Sequence, residues 1–171
     1  MHIPWKRTTL AIGIPLFLAV LAPTVYASTS TPVSGAFSAT IAPVASRVDD
    51  GNTIISFTFT ETFTGTMSGT RVGIGTLVVH PDGTLYFHDT GLFTGTIAGA
   101  SGTATMTGVG AGAFSSFNGR FHVSDGAGGL AGVRGGGSFT GSATGPVSFA
   151  GTYSGKVRSS DESGQVQSID E

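Results

Sequence analysis

A seven-residue pattern occurs four times in this chain and limits the possible folds more than any other feature. It consists of phenylalanine, a small residue, glycine, a hydroxyl residue, two further residues and glycine, and it occupies residues 63–69, 93–99, 139–145 and 149–155. On a β-strand, the phenylalanine and the first glycine share one face, and the hydroxyl residue lies on the other. The last glycine can adopt the positive φ of a tight turn. We therefore interpret each copy as a strand that runs into a hairpin.

The alternation of apolar and polar residues predicts eight β-strands and no convincing helix. The second strand is the clearest, because Phe57, Phe59 and Phe63 point one way while the threonines between and after them point the other. Turn sequences separate the strands, as at residues 80–83, which read His-Pro-Asp-Gly. The strands are predicted near residues 35–44, 55–64, 71–79, 84–96, 103–112, 114–124, 137–143 and 147–158.

Eight short antiparallel strands can close into a barrel or stack as a sandwich. Glycines occur on the same predicted face as the phenylalanines, and tightly curved strands need residues without side chains at their bends. Closure also removes the exposed edges that would pair with neighbouring molecules. We therefore predict an all-β domain over residues 34–158, folded as a single eight-stranded antiparallel β-barrel.

The N-terminal residues have the three parts of a secretory signal peptide. Lys6 and Arg7 are basic, residues 10–21 are apolar, and small residues lead up to Ala27. We predict a signal peptide over residues 1–27 and a secreted or periplasmic protein. A retained anchor is the alternative, but the apolar run is shorter than the roughly 20 residues of a membrane span. We expect no stable membrane insertion once the signal is removed.

Two polar segments flank the predicted domain. Residues 28–33 read as a short linker, and residues 159–171 as a disordered acidic tail. Cleavage of the signal takes away two of the eight basic residues and leaves all ten acidic ones. A mildly acidic chain does not attract phosphates, so nucleic-acid binding is not expected.

The residue types needed for thiol and metal chemistry are missing or scattered. The chain has no cysteine, which excludes disulfides, thiolate catalysis and a thiol-linked lipid anchor. His80, His88 and His122 lie beyond the signal, and none has a second ligand at a metal-binding spacing. The glycine-rich strings lack the strand-to-helix context of a phosphate loop. We predict neither a metal nor another cofactor.

Two acidic residues, Glu61 and Asp89, fall on inward faces of predicted strands. Burial there would raise the pKa of each carboxyl and prepare the pair for acid–base chemistry or for orienting a ligand. Alternatively, Glu61 lies near a barrel mouth, hydrated or paired with Arg71, and a bulge before Gly91 turns Asp89 outward. No catalytic residue is assigned. The residues predicted to contact a ligand are Phe57, Phe59, Glu61, Phe63, Phe87 and Asp89.

The glycine-rich segment 126–139 resembles a glycine–arginine segment of the DUF3224 proteins, an uncharacterised bacterial family. Residues 63–69 and the turn at residues 80–83 fall where that family has a Phe-Thr-Gly unit and a Pro-Asp-Gly turn. The resemblance covers roughly Gly35 to Arg158. It implies the eight-stranded barrel of allene oxide cyclase and dirigent proteins, to which this family is similar in fold, and it implies no activity.

The chain departs from the family pattern at two positions. Gly129 stands where an acidic residue is frequent, and Glu61 stands where a basic residue would be more usual. Arg134 lies within the matching segment, and its guanidinium is predicted to bind carbonyls of the glycine-rich connection or to close one end of the barrel. None of the catalytic residues of the plant enzymes can be matched onto this chain.

Three functions are compatible with these features. The first is a secreted binding module that holds an apolar small molecule in a phenylalanine-lined interior. The second is a cofactor-independent cyclase or isomerase, by analogy of fold with allene oxide cyclase. The third is a structural or surface protein whose core is filled and which binds no ligand. An internal cavity would favour the first two over the third.

Overall fold

The computed structural model describes residues 30–159, which form eight β-strands joined by short turns. None of these residues belongs to a helix with the length and apolar character needed to cross a membrane. The strands are β1 Ser30–Asp49, β2 Asn52–Gly65, β3 Met67–Val79, β4 Leu85–Ile97, β5 Ala100–Ala113, β6 Ser116–Gly128, β7 Arg134–Ala143 and β8 Ser148–Arg158.

The eight strands form a closed antiparallel ring. Each strand pairs with the next one along the chain, and β8 pairs back with β1, in the order of a closed barrel. The closing register runs from Ser30 opposite Arg158 to Thr40 opposite Ser148. The prediction of an all-β fold with eight antiparallel strands is confirmed. The predicted signal peptide lies outside the described residues, as does all of the predicted tail except Ser159.

The first strand is longer than the sequence indicated. It begins at Ser30, inside the segment predicted as a linker, because its pairing with β8 continues to that residue. It extends to Asp49, because the hairpin with β2 continues to the pair Asp49 and Asn52. The register shifts between Pro43 and Ala45, and this irregularity interrupts the regular alternation beyond which residues 45–49 were not predicted as strand.

The hairpin interpretation of the sequence repeat is wrong for its fourth copy. Residues 149–155 lie wholly within β8 and contain no turn. In the first copy, the chain reverses at Thr66, between β2 and β3, so that the last glycine, Gly69, lies inside β3. The glycines of the repeat are therefore used for close packing between strands as well as for turns.

Interior phenylalanines lie opposite glycines of neighbouring strands. Phe57 faces Gly75 across the β2–β3 pair, and Phe87 faces Gly110 across the β4–β5 pair. A Cβ atom built on Gly75 would lie 2.4 Å from the Phe57 ring, and one on Gly110 would lie 2.5 Å from the Phe87 ring. Glycine therefore provides the space in which each ring lies against the inner surface of the sheet.

The two ends of the ring differ. At the end that carries the β2–β3, β4–β5 and β6–β7 connections, Met67, Ile97 and Leu130 are completely or almost completely buried; we call this the closed end. At the opposite end, which carries the other connections, Phe114 is 39% exposed and Phe149 is partly exposed; we call this the open end. Large apolar side chains are thus fully buried at the closed end, whereas two phenylalanines at the open end are partly exposed to solvent.

Candidate ligand cavity

The ring encloses a cavity of about 100 Å³. Its lining extends from Tyr153, which is buried, to the partly exposed Phe149 and the exposed Phe114 at the open end. The lining is mostly aromatic and aliphatic. The residues that line it are Phe37, Ala39, Ile41, Phe57, Phe59, Glu61, Phe63, Arg71, Leu77, Leu85, Phe87, Asp89, Met106, Gly108, Phe114, Phe117, Phe121, Phe139, Phe149 and Tyr153.

All six residues that the sequence analysis selected as ligand contacts lie on the lining of this single cavity. They are Phe57, Phe59, Glu61, Phe63, Phe87 and Asp89. Strand alternation explains why they converge: each occupies an odd-numbered position on β2 or β4, and those positions face the interior. That they contact a ligand stays a prediction.

Arg71 is a charged interior residue that was not predicted to line the cavity. It lies on β3, opposite Glu61 on β2 and Phe93 on β4, and it is only 5% exposed. Its Nη1 donates a hydrogen bond to Glu61 Oε2 at 2.9 Å, and its Nη2 donates to Asp89 Oδ1 and to the Met106 carbonyl, the latter at 3.0 Å. One guanidinium therefore joins four neighbouring strands, from β2 to β5.

The structure resolves the alternatives for the two carboxylates. Glu61 does pair with Arg71, but inside the ring and opposite Ala39 in the middle of the β1–β2 pair, rather than near a mouth. Asp89 faces the interior, because β4 pairs with β3 in unbroken register and no bulge turns the side chain outward. The two carboxylates are thus held on the same inner surface by one cation.

Burial raises the pKa of both carboxyls. For Glu61, desolvation outweighs the attraction and hydrogen bond of Arg71, and the negative charge of Asp89 raises its pKa further. For Asp89, desolvation again outweighs the opposing effects of Arg71, His88 and a backbone hydrogen bond from Gly108. The physical reason is that a single guanidinium cannot compensate two carboxylates that have both been removed from water.

The guanidinium is enclosed by protein on its remaining sides. Its central carbon lies 4.7 Å from the centre of the Phe59 ring, which is the geometry of a cation–π contact. Its Nε is buried and has no hydrogen-bond partner. On the far side of the cluster, a Cβ atom on Gly108 would lie 2.8 Å from Asp89 Oδ1. Glycine at position 108 therefore leaves room for the Asp89 carboxylate.

An inverted polarity on β3 explains why Arg71 was considered only as a partner of Glu61 near a mouth and not as an interior residue. The outward residues Val72 and Ile74 are apolar and are 51% and 62% exposed, whereas the inward positions between Arg71 and Leu77 are glycines. A rule that turns the apolar face inward therefore assigns the faces of this strand the wrong way round. The available signal was the hairpin from β2, since pairing across it sets Arg71 opposite Glu61.

The other polar residues considered in the sequence lie away from the cavity. His88 and His122 are exposed on the outer face, and the His80 ring lies 2.8 Å from the Asn52 side-chain oxygen near a turn. Arg134 is exposed at the start of β7, opposite Arg158. Residues 129–132 form turns, and Leu130 packs into the core. Across residues 30–159, no three His, Cys, Asp or Glu side chains are grouped to hold a metal ion.

Comparison with known proteins identifies the family. The family described as "Protein of unknown function (DUF3224)" matches residues 33–158, which is most of the chain. The chain belongs to the DUF3224 family. The resemblance inferred from the glycine-rich segment is therefore confirmed at the level of this family.

A solved structure supports the fold of this DUF3224 protein. A protein of unknown function from the same family, from Shewanella oneidensis MR-1, matches with a TM-score of 0.58 and 19% sequence identity. The match covers 74% of this chain and 96% of that one. At this identity, the likeness concerns the fold alone. No curated protein matches the chain.

Proposed function

We propose that this protein binds an apolar small molecule in the cavity inside its ring of strands. The observation that carries the proposal is an open-ended, mostly aromatic cavity with a single polar cluster on its lining. Binding sites for small molecules combine apolar walls with a few placed polar groups in this way. A protein with only a structural role would be expected to fill such a space, because an unfilled cavity costs stability.

The size of the cavity limits the part of a ligand that can be enclosed. A volume of about 100 Å³ suits a group of roughly the size of one ring, since apolar cavities of about 150 Å³ accept benzene. A longer molecule would place one end in the cavity and leave the other at the open end. If the predicted signal peptide is removed on export, the protein meets such molecules in the periplasm or outside the cell.

Native mass spectrometry tests this proposal. The purified protein is incubated with a mixed lipid extract, and we expect one class of apolar ligand to be retained. Ala39→Leu adds bulk on the lining of the cavity, whereas Ala36→Leu adds the same bulk on the exposed face of the same strand. Filling the cavity should reduce retention about tenfold, while the outer variant should retain ligand like the wild type. Absence of a retained ligand, or equal retention by both variants, would overturn the proposal.

One observation favours an enzyme as a second candidate. Glu61 and Asp89 share an apolar cavity and have raised pKa values, which is the preparation that general acid–base catalysis needs. A cofactor-independent cyclase or isomerase of the allene oxide cyclase type is the corresponding activity, by analogy of fold. Once a substrate is found, Glu61→Gln should abolish its turnover; unchanged turnover would exclude Glu61 as the catalyst.

A further inference from the structure

The charges on the cavity lining do not balance. Among the described residues that line it, Glu61 and Asp89 are acidic and Arg71 is basic. When both carboxyls are ionised, the cluster has one excess negative charge in surroundings that are otherwise mostly apolar. A buried charge without a partner is strongly destabilising, unless a proton or another cation neutralises it. The cavity therefore favours a positively charged occupant over a negatively charged one.

The carboxylates are placed to meet such an occupant. Each uses one oxygen for Arg71, Oε2 in Glu61 and Oδ1 in Asp89. The side chains of Glu61 and Asp89 are each 12% exposed, twice the 6% of the Arg71 side chain. Because these residues point into a closed ring and line the cavity, this exposed surface faces the cavity. A ligand that enters from the open end thus meets the side chains of both acidic residues on the cavity lining.

We infer that the ligand is an apolar amine, whose protonated nitrogen is bound by Glu61 and Asp89 while its apolar body packs against the phenylalanines. This inference rests on the proposed binding function and specifies its ligand class. The aromatic lining is suited to such a ligand, since ring faces attract cations as well as apolar groups. Arg71 already uses the Phe59 face in this way. An anionic ligand is disfavoured, because it would be placed beside two carboxylates that share one cation.

Binding of an amine should release a proton. The charged groups that face the site are Glu61 on β2, Arg71 on β3 and Asp89 on β4. His88, on the outer face of β4, also lowers the pKa of Asp89. The neighbouring strand β5 contributes only the uncharged Met106 carbonyl and Gly108. Burial raises the pKa of both carboxyls, so each keeps its proton to a higher pH than an exposed carboxyl does. An ammonium group lowers those pKa values again, so amine binding should strengthen as the pH rises through them.

Isothermal titration calorimetry with three ring-sized probes tests the inference. The purified full-length protein is titrated with benzylamine, benzyl alcohol and benzoate, which share one ring and differ in charge. We expect benzylamine to bind about tenfold more tightly than benzyl alcohol, benzoate to bind least, and proton release to appear as a difference in heat between buffers of different ionisation enthalpy. The affinity for benzylamine should fall as the pH is lowered.

Variants that remove one carboxylate show whether the preference for an amine comes from this cluster or from charges elsewhere on the protein. Glu61→Gln and Asp89→Asn should each reduce the preference for benzylamine over benzyl alcohol to about twofold or less. Asp125→Asn removes the same charge from an exposed residue and should leave the preference unchanged. If a cavity variant does not fold, the selectivity and proton release of the wild-type protein remain decisive.

The outcomes distinguish the two proposals. Equal binding of benzyl alcohol and benzylamine, with no proton release, would overturn the amine assignment and leave apolar binding in place. Tighter binding of benzoate would overturn the assignment as well. If none of the three probes binds, the amine assignment fails; the proposed function then fails too if nothing is retained from the lipid extract.

Discussion

At the scale of single residues, Arg71 decides the character of the interior. Without it, Glu61 and Asp89 would be two carboxylates in an apolar cavity, and neither would remain ionised at low cost. With it, both are held in place, and burial still raises the pKa of each. The cluster is thus a polar group in the core rather than a surface ion pair. Its contribution to the free energy of unfolding should depend on pH.

The raised carboxyl pKa values predict how stability changes with pH. A carboxyl whose pKa is higher in the folded than in the unfolded state contributes its full stability below the unfolded value, and this contribution is lost as the pH rises through the folded value. Glu61→Gln removes one titrating group, so its free energy of unfolding should decline less steeply than that of the wild type as the pH rises from mildly acidic towards neutral. Urea unfolding at a series of pH values measures both slopes.

The matched control for this measurement is Asp125→Asn, which changes an exposed carboxyl and should leave the slope as in the wild type. Parallel curves for Glu61→Gln and the wild type would contradict the assignment of a raised pKa to Glu61. A steeper decline in the variant would do so as well.

At the scale of strands, the recurring unit is a phenylalanine on one strand and a glycine opposite it on the next. The pairs Phe57–Gly75, Phe87–Gly110 and Phe37–Gly151 occur at different places around the ring. Because glycine has no side chain, the phenylalanine ring of the neighbouring strand lies directly over its backbone and fills the space that a side chain would occupy. Of the residues in these three pairs only Gly151 belongs to a copy of the sequence repeat, so the unit depends on the register between strands rather than on the repeat.

Replacing such a glycine tests this arrangement. Gly75→Ala should destabilise the fold by about 1–3 kcal/mol, because the added methyl would lie 2.4 Å from the Phe57 ring and 2.9 Å from Asp89 Cβ. Chemical denaturation gives the free energy of unfolding. Phe57→Leu removes the ring atom that the methyl meets, so the double variant should lose less stability than the sum of the two single variants. Strict additivity would show that ring and glycine do not share this space.

At the scale of the whole molecule, the two ends of the ring have different roles. The closed end is filled with buried side chains, and there the Tyr153 hydroxyl accepts a hydrogen bond from the Met67 N–H at 2.9 Å. The same hydroxyl lies 3.1 Å from the Thr64 carbonyl and 3.2 Å from the Met67 carbonyl. Tyr153 on β8 therefore ties the last strand to the β2–β3 hairpin, and the cavity remains towards the open end.

Removing this hydroxyl should weaken the closed end. Tyr153→Phe leaves the buried Met67 N–H without this partner, so we expect a loss of about 1–3 kcal/mol in the free energy of unfolding by urea. Tyr86→Phe is the matched control, since Tyr86 is 45% exposed on the outer face, and it should change stability by less than about 0.5 kcal/mol. Equal effects of the two substitutions would show that the Tyr153 hydroxyl does not tie the closed end together.

Much of this architecture could be predicted from the order of residues. Alternation is a local property, so it identified eight strands, their inward phenylalanines and the two inward acids, Glu61 and Asp89. It failed where the pattern was irregular or inverted: the register shift after Pro43 concealed the length of β1, and the outward Val72 and Ile74 concealed the inward Arg71. Both features depend on the pairing between neighbouring strands, which the alternation of residues along a single strand does not report.

By itself, the sequence determined which face of most strands turns inward, because side chains alternate with a period of two whatever the rest of the chain does. Only the tertiary structure decided that Glu61 and Asp89 share one guanidinium, that one end of the ring is filled and that a cavity remains at the other. These features depend on cross-strand register and on the volumes of side chains that are distant in sequence. They are therefore properties of the closed ring, and the pattern along any one strand does not determine them.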